Sequence, residues 1–175
     1  SDTYTYGVLA HEFQHMIHWK QDLNETSWIN EGFSELAVLL NGYYVGGADY
    51  EYIANTDVQL TDWGPDPGTN GPHYGSSFLF LTYFLDRFGE EATKALVQDP
   101  QNSMESVNNI LQSIQAKDNV SGKPVSADDL FMDWAATNYL LDGSIADGRY
   151  VYHNYPNAPK ASDTESINEC PASIS

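Results

Sequence analysis

His11-Glu12-Phe13-Gln14-His15 places two imidazoles four residues apart, with a carboxylate next to the first. If the stretch is helical, residues i and i+4 turn through about 400°, so both rings leave one face a single turn apart. Two ring nitrogens at that separation can share one Zn²⁺ at about 2.0–2.1 Å. Glu12 is rotated by roughly 100° from His11. That takes it out of the ligand set and lets it reach a water in the open coordination position, as a general base would. A catalytic zinc site takes three protein ligands and one water. Glu31 and Glu35 repeat the i, i+4 spacing downstream. If one binds the metal, the other can hydrogen-bond the free ring nitrogen of a ligand histidine. From spacing alone, either can take either role.

These groups need two helices side by side. Residues 4–20 are periodic, with Tyr4, Val8, His11, His15, Ile17 and His18 near one broad face. Residues 21–27 form a polar break, and Ser27 is the expected N-cap of a second helix carrying Glu31 and Glu35 early in its length. Asn41-Gly42 and Gly46-Gly47 weaken or end it, and 48–57 predicts another short helix. Residues 61–72, TDWGPDPGTNGP, read as an ordered loop. The stretch 73–88 is apolar nearly all round, which predicts a buried helix ended by Gly89. Amphipathic helices follow at 90–98 and 103–116. The last, 126–141, is capped by Ser126 with Asp128 and Asp129 in its first turn. Strand signals are few, so the expected class is mainly α, with one domain over 1–153 and an irregular tail over 154–175.

The composition excludes several functions. Among 175 residues, 25 Asp and Glu against 7 Lys and Arg give a net charge of −18. Such a surface repels phosphate backbones and anionic lipid, so nucleic-acid and membrane-surface partners are not expected. With 41% hydrophobic residues the chain can bury a core and is not of disordered type. No run approaches the roughly 18 apolar residues of a membrane span, and no signal peptide opens the chain. It starts on Ser1 rather than Met, as a processed or excised piece would. The lone Cys170 excludes an internal disulfide framework and reads as an incidental tail thiol. Lys20 and Arg87 are separated by 66 residues without Lys or Arg but with ten acids. This balance suits an extracellular or salt-exposed protein.

HEFQH followed by W-I-N-E-G-F-S-E resembles the gluzincin zinc metallopeptidases, whose ligands are two histidines and a glutamate on a second helix. The metzincin pattern does not fit, since it needs Gly at 18 and His at 21, where this chain has His18 and Gln21. WINEGF is similar to the third-ligand helix of aminopeptidase-N-like enzymes, which implies Glu31 as the zinc ligand. Fifteen residues separate His15 from Glu31, fewer than in that family, whereas the 19 before Glu35 match the thermolysin-like spacing. With Glu31 as ligand, Glu35 resembles the acidic partner of a ligand histidine in thermolysin-like enzymes. Tyr74, opening the apolar helix, resembles the oxyanion-stabilising tyrosine of the aminopeptidase-N-like group, with His73 the weaker choice. Overall the likeness is to secreted bacterial hyicolysin-like and related gluzincins, over about residues 5–90. It implies a secreted bacterial or archaeal endopeptidase with one Zn²⁺, acting on peptide or protein substrates. It also implies that 1–153 is the C-terminal, helical part of a zincin-like metallopeptidase catalytic domain whose N-terminal β-sheet subdomain is expected to be missing, since only ten residues precede His11.

Three other readings stand beside this one. The chain could be an aminopeptidase, whose amine-binding motif would lie upstream of residue 1. It could be a non-catalytic zincin module serving as an adhesion or binding surface, although Glu12 argues for catalysis. Asp57, Asp62, Asp66 and Asn70 could supply oxygens to a structural Ca²⁺, though without EF-hand spacing. His18 is a further candidate near the site, while His153 reads as a loop histidine. The sequons at Asn24 and Asn119 carry meaning only in a eukaryotic secretory context.

Overall fold

The computed structural model describes residues 2–43 and 46–161. Six helices follow one another: α1 Asp2–Gln21, α2 Ser27–Leu40, α3 Ala48–Ala54, α4 Gly71–Val97, α5 Ser103–Ser113 and α6 Ala127–Leu140. A 3-10 turn at Pro67–Thr69 precedes α4. No β-strand occurs among the described residues; Lys117 and Pro124 form an isolated bridge. The mainly helical class predicted from periodicity holds. No helix among the described residues is long and apolar enough to cross a membrane.

Helix α4 is the centre of the molecule. Phe78, Leu79, Phe80, Leu81, Tyr83 and Phe84 are fully buried, so the all-round apolar pattern is a helix surrounded by others. Gly89, at φ 80°, breaks α4 where the sequence predicts a stop, and the chain resumes helix beyond it to Val97. Trp28 and Phe80 meet edge to face, as do Phe80 and Trp134, which ties α2, α4 and α6 into one core.

Two glycines let α4 approach its neighbours closely enough to place the chemistry. A Cβ on Gly32 would stand 2.8 Å from the carbonyl oxygen of Ser77, so α2 lies against the α4 backbone one residue after Glu31. A Cβ on Gly75 would stand 2.0 Å from the carbonyl oxygen of Ala48, which seats the first turns of α4 on α3. Tyr74 is the residue before that contact.

Helix α4 starts at Gly71, inside the stretch expected to be loop, and the cap of α2 also differs from expectation. Ser27 is the first helical residue of α2 and Thr26 is the N-cap, without a side-chain cap bond. The carboxylate of Glu25 accepts instead from the Thr26 N–H and, at 2.9 Å, from the Ser103 N–H, joining the starts of α2 and α5. Ser126 caps α6 as expected, in a capping box closed by Asp129. Residues 154–161 have neither helix nor strand, and Asp86 accepts from the His153 and Asn154 N–H groups at 2.8 and 3.0 Å. The remainder of the expected tail, with Cys170, lies outside the described residues.

Helix α1 packs mainly on α2 and is the least buried helix. Only Gly7 and His18 are buried along it. Tyr4, Val8 and Ile17, which the periodicity places near the face of His11 and His15, are exposed at 75%, 40% and 40%. The inward face is narrower than the sequence suggests and is formed chiefly by polar rings.

Candidate metal centre

His11 and His15, one turn apart on α1, bring their Nε2 atoms to 3.0 Å of each other. From α2, Oε2 of Glu31 lies 3.2 Å from His11 Nε2 and 3.3 Å from His15 Nε2. These three residues are the single group of three or more His, Cys, Asp or Glu donors among the described residues that could close on one ion. The shortness of the i, i+4 step sets the first edge, and the packing of α1 on α2 sets the other two.

The opposite sides of both rings are anchored. His11 Nδ1 lies 3.2 Å from Glu35 Oε1. His15 Nδ1 lies 2.8 Å from Asn30 Oδ1 and 3.1 Å from Ser34 Oγ. In the neutral rings, donation from Nδ1–H to Glu35 and to Asn30 would leave both Nε2 atoms with free lone pairs. Three electron-rich atoms therefore face one another. Glu31 Oε2 is buried and meets both imidazoles as their ion-pair partner. A proton on a ring nitrogen or a shared metal cation satisfies such a set.

Its dimensions fit zinc. Donors at 2.0–2.1 Å from a tetrahedral ion are about 3.3–3.4 Å apart. The triangle, with edges of 3.0, 3.2 and 3.3 Å, needs only slight opening to form one face of that tetrahedron. The side chains are 12–22% exposed, so the fourth direction remains accessible.

The same attraction for positive charge appears in the proton equilibria. Burial lowers the His11 pKa, but Glu31 and Glu35 outweigh it and raise it to about 9. His15 is raised by its hydrogen bond to Glu31 against the effect of burial. For Glu31 burial favours the neutral acid, yet the two histidines hold its carboxyl at about 2.

Around the triangle, Glu12 lines a cavity of about 260 Å³ together with Tyr4, Gly7, Val8, His11, Glu35, Val38 and Gly46. Tyr74 stands on the α4 side. Burial raises its phenol pKa, and the charges of Glu31, Glu35 and Glu12 raise it further. His73 packs on Trp63 at 5.7 Å between centroids, and its Nδ1 is buried without a partner. His153 is exposed and held through its backbone to Asp86. Asp66 turns its own loop by accepting from the Gly68 N–H at 2.9 Å. Asp57, Asp62 and Asp66 form no three-donor group among the described residues.

His18 does not join the metal donors. It is fully buried, edge-on to Phe33 at 5.5 Å, and neither ring nitrogen has a hydrogen-bond partner. Burial lowers its pKa to about 4, with Asp22 partly opposing and His15 reinforcing the shift. A folded pKa below the ordinary 6.5 means that the neutral ring contributes stability above that pH, lost as the pH falls through about 4. In metal-free protein, urea unfolding at pH 7 and pH 4 should show a loss on the order of 3 kcal/mol attributable to His18. His18→Leu should lack that component. Equal acid sensitivity in the two proteins would show that the ring is not held neutral by the fold.

The anchors of His15 were not apparent from the sequence. Asn30 and Ser34 form a polar i, i+4 pair one residue ahead of the acidic pair Glu31 and Glu35. Glu31 and Glu35 contact His11 on both sides, and Asn30 and Ser34 contact His15 at Nδ1. The doubled spacing within N-E-x-x-S-E is the signal that could have revealed them. No family model matches the chain, and no curated protein matches it.

Proposed function

We propose that this chain hydrolyses peptide bonds at a zinc centre held by His11, His15 and Glu31, in the manner of gluzincin peptidases. The observation that carries the reading is the triangle of two Nε2 atoms and one carboxylate oxygen, with each imidazole anchored at Nδ1. When bound, zinc supplies a Lewis acid that acidifies water and polarises a carbonyl.

The protein's own groups do the rest. The Glu12 carboxylate takes the proton from the attacking water and passes it to the leaving amine. The Tyr74 hydroxyl donates to the oxyanion as the carbonyl carbon becomes tetrahedral, a contact worth about 2.7–4 kcal/mol where measured in other enzymes. Glu35 holds His11, and Asn30 with Ser34 holds His15, so neither ring can rotate away. The cavity beside Glu12 receives a substrate side chain next to the scissile bond. Endopeptidase action and an extracellular setting, suggested by the resemblance and the charge, complete the proposal.

Zinc removal provides the test. Chain treated with chelator should lose hydrolysis of a peptide blocked at its N-terminus. Addition of one equivalent of zinc should restore it. Cleavage of free-amine peptides alone would make the protein an aminopeptidase. A zinc-loaded chain that cleaves neither substrate would be a binding module.

A further inference from the structure

An oxyanion donor accelerates a reaction only if it is already in place when charge develops. Among the described residues the Tyr74 hydroxyl forms no hydrogen bond, so polar contacts do not set its direction. Its neighbourhood is aromatic. Trp63 meets the Tyr74 ring edge to face, with centroids 4.7 Å apart and planes at 63°. The same indole lies 5.7 Å from the His73 ring. Trp63 belongs to the Gly- and Pro-rich loop between α3 and α4, anchored nearby by Leu60 in the core and by the 3-10 turn at Pro67–Thr69. Its indole Nε1 is buried without an acceptor. That burial has a cost, so the contribution of Trp63 at this place lies in its ring contacts rather than in a hydrogen bond.

The geometry points to Trp63 as the positioning residue for Tyr74, its indole forming the wall against which the phenol rests. The loop that reads from sequence only as ordered thereby has a task in the reaction. The inference rests on Tyr74 being the oxyanion donor. Ring centroids at 4.7 Å leave little room for the phenol to swing toward the loop. Without the indole the ring gains that freedom and spends less time in the reactive orientation.

The test is a double-mutant cycle on the zinc-loaded chain, read with an N-blocked fluorogenic peptide. Tyr74→Phe should lower kcat. Trp63→Ala should lower kcat by about 10- to 100-fold while KM and zinc stoichiometry stay nearly unchanged. Trp63→Phe, which keeps a ring at the contact, should recover most of the rate. Added to Tyr74→Phe, Trp63→Ala should cost little more, because there is no hydroxyl left to position. Should Trp63→Ala fail to fold, Trp63→Leu keeps apolar bulk without a ring and replaces it in the cycle. Full additivity of the two substitutions would overturn the inference, and so would a neutral Trp63→Ala beside a damaging Tyr74→Phe. A neutral Tyr74→Phe would remove both the donor and its positioning residue while leaving zinc-dependent hydrolysis intact. Loss of the proposed function itself would instead appear as a wild-type chain without zinc-dependent cleavage.

Discussion

Replacing Glu31 with alanine should strip the protein of zinc, whereas Glu35→Ala should leave a metal-binding protein of lower affinity. Both carboxylates touch His11, but on opposite sides of its ring. Glu31 Oε2 faces the two Nε2 atoms, while Glu35 Oε1 faces Nδ1. Removing Glu31 deletes one corner of the donor triangle and leaves two neutral imidazoles. Affinity should fall by roughly three orders of magnitude, against the 10- to 100-fold typical of losing an outer hydrogen-bond partner. Competition titration with a zinc-sensitive dye measures both. The reverse order of effects would transfer the ligand role to Glu35, at the thermolysin-like spacing, and would require the α2 side chains to rearrange.

Glu12→Gln should abolish peptide hydrolysis while zinc content stays at one per chain. Glu12 follows His11 on α1 and lines the cavity beside the triangle, yet it is outside the donor group. Glutamine preserves shape and removes the proton acceptor, so the loss should be about 10²- to 10⁴-fold in kcat, the usual range for a general base. Measuring zinc by elemental analysis on the same sample separates catalysis from binding. Substantial activity retained by Glu12→Gln would remove the general-base assignment and leave the metal centre standing.

The parts of this molecule legible in the sequence are those governed by local periodicity. The spacing of His11 and His15 needed only a helix to become a chelate, and the all-round apolar run at 73–88 could only be a central element. The Ser126 cap is a matter of three neighbouring residues. What stayed hidden depends on partners distant in the chain. Thr26 rather than Ser27 is the N-cap of α2, and the Glu25 carboxylate beside it also accepts from the Ser103 N–H, 78 residues away. The ring of Trp63 meets Tyr74 only because the intervening loop folds back on the start of α4. His18 carries a ligand-type side chain on the same helix as His11 and His15. Three residues beyond His15, it turns under the helix into the core instead of joining them. Polarity in sequence does not distinguish a side chain that serves a site from one sealed beneath it.

The sparse burial of α1 has a consequence for how the domain is assembled. A helix that buries only Gly7 and His18 gains little from apolar contact, and its neighbour α2 is already committed to the core through Trp28, Ile29 and Phe33. An ion shared by His11, His15 and Glu31 would therefore act as a cross-link between a loosely seated helix and a firmly seated one. Docking of the helix that brings Glu12 and docking of the metal would then be one equilibrium, with the reagent and the architecture lost or gained together.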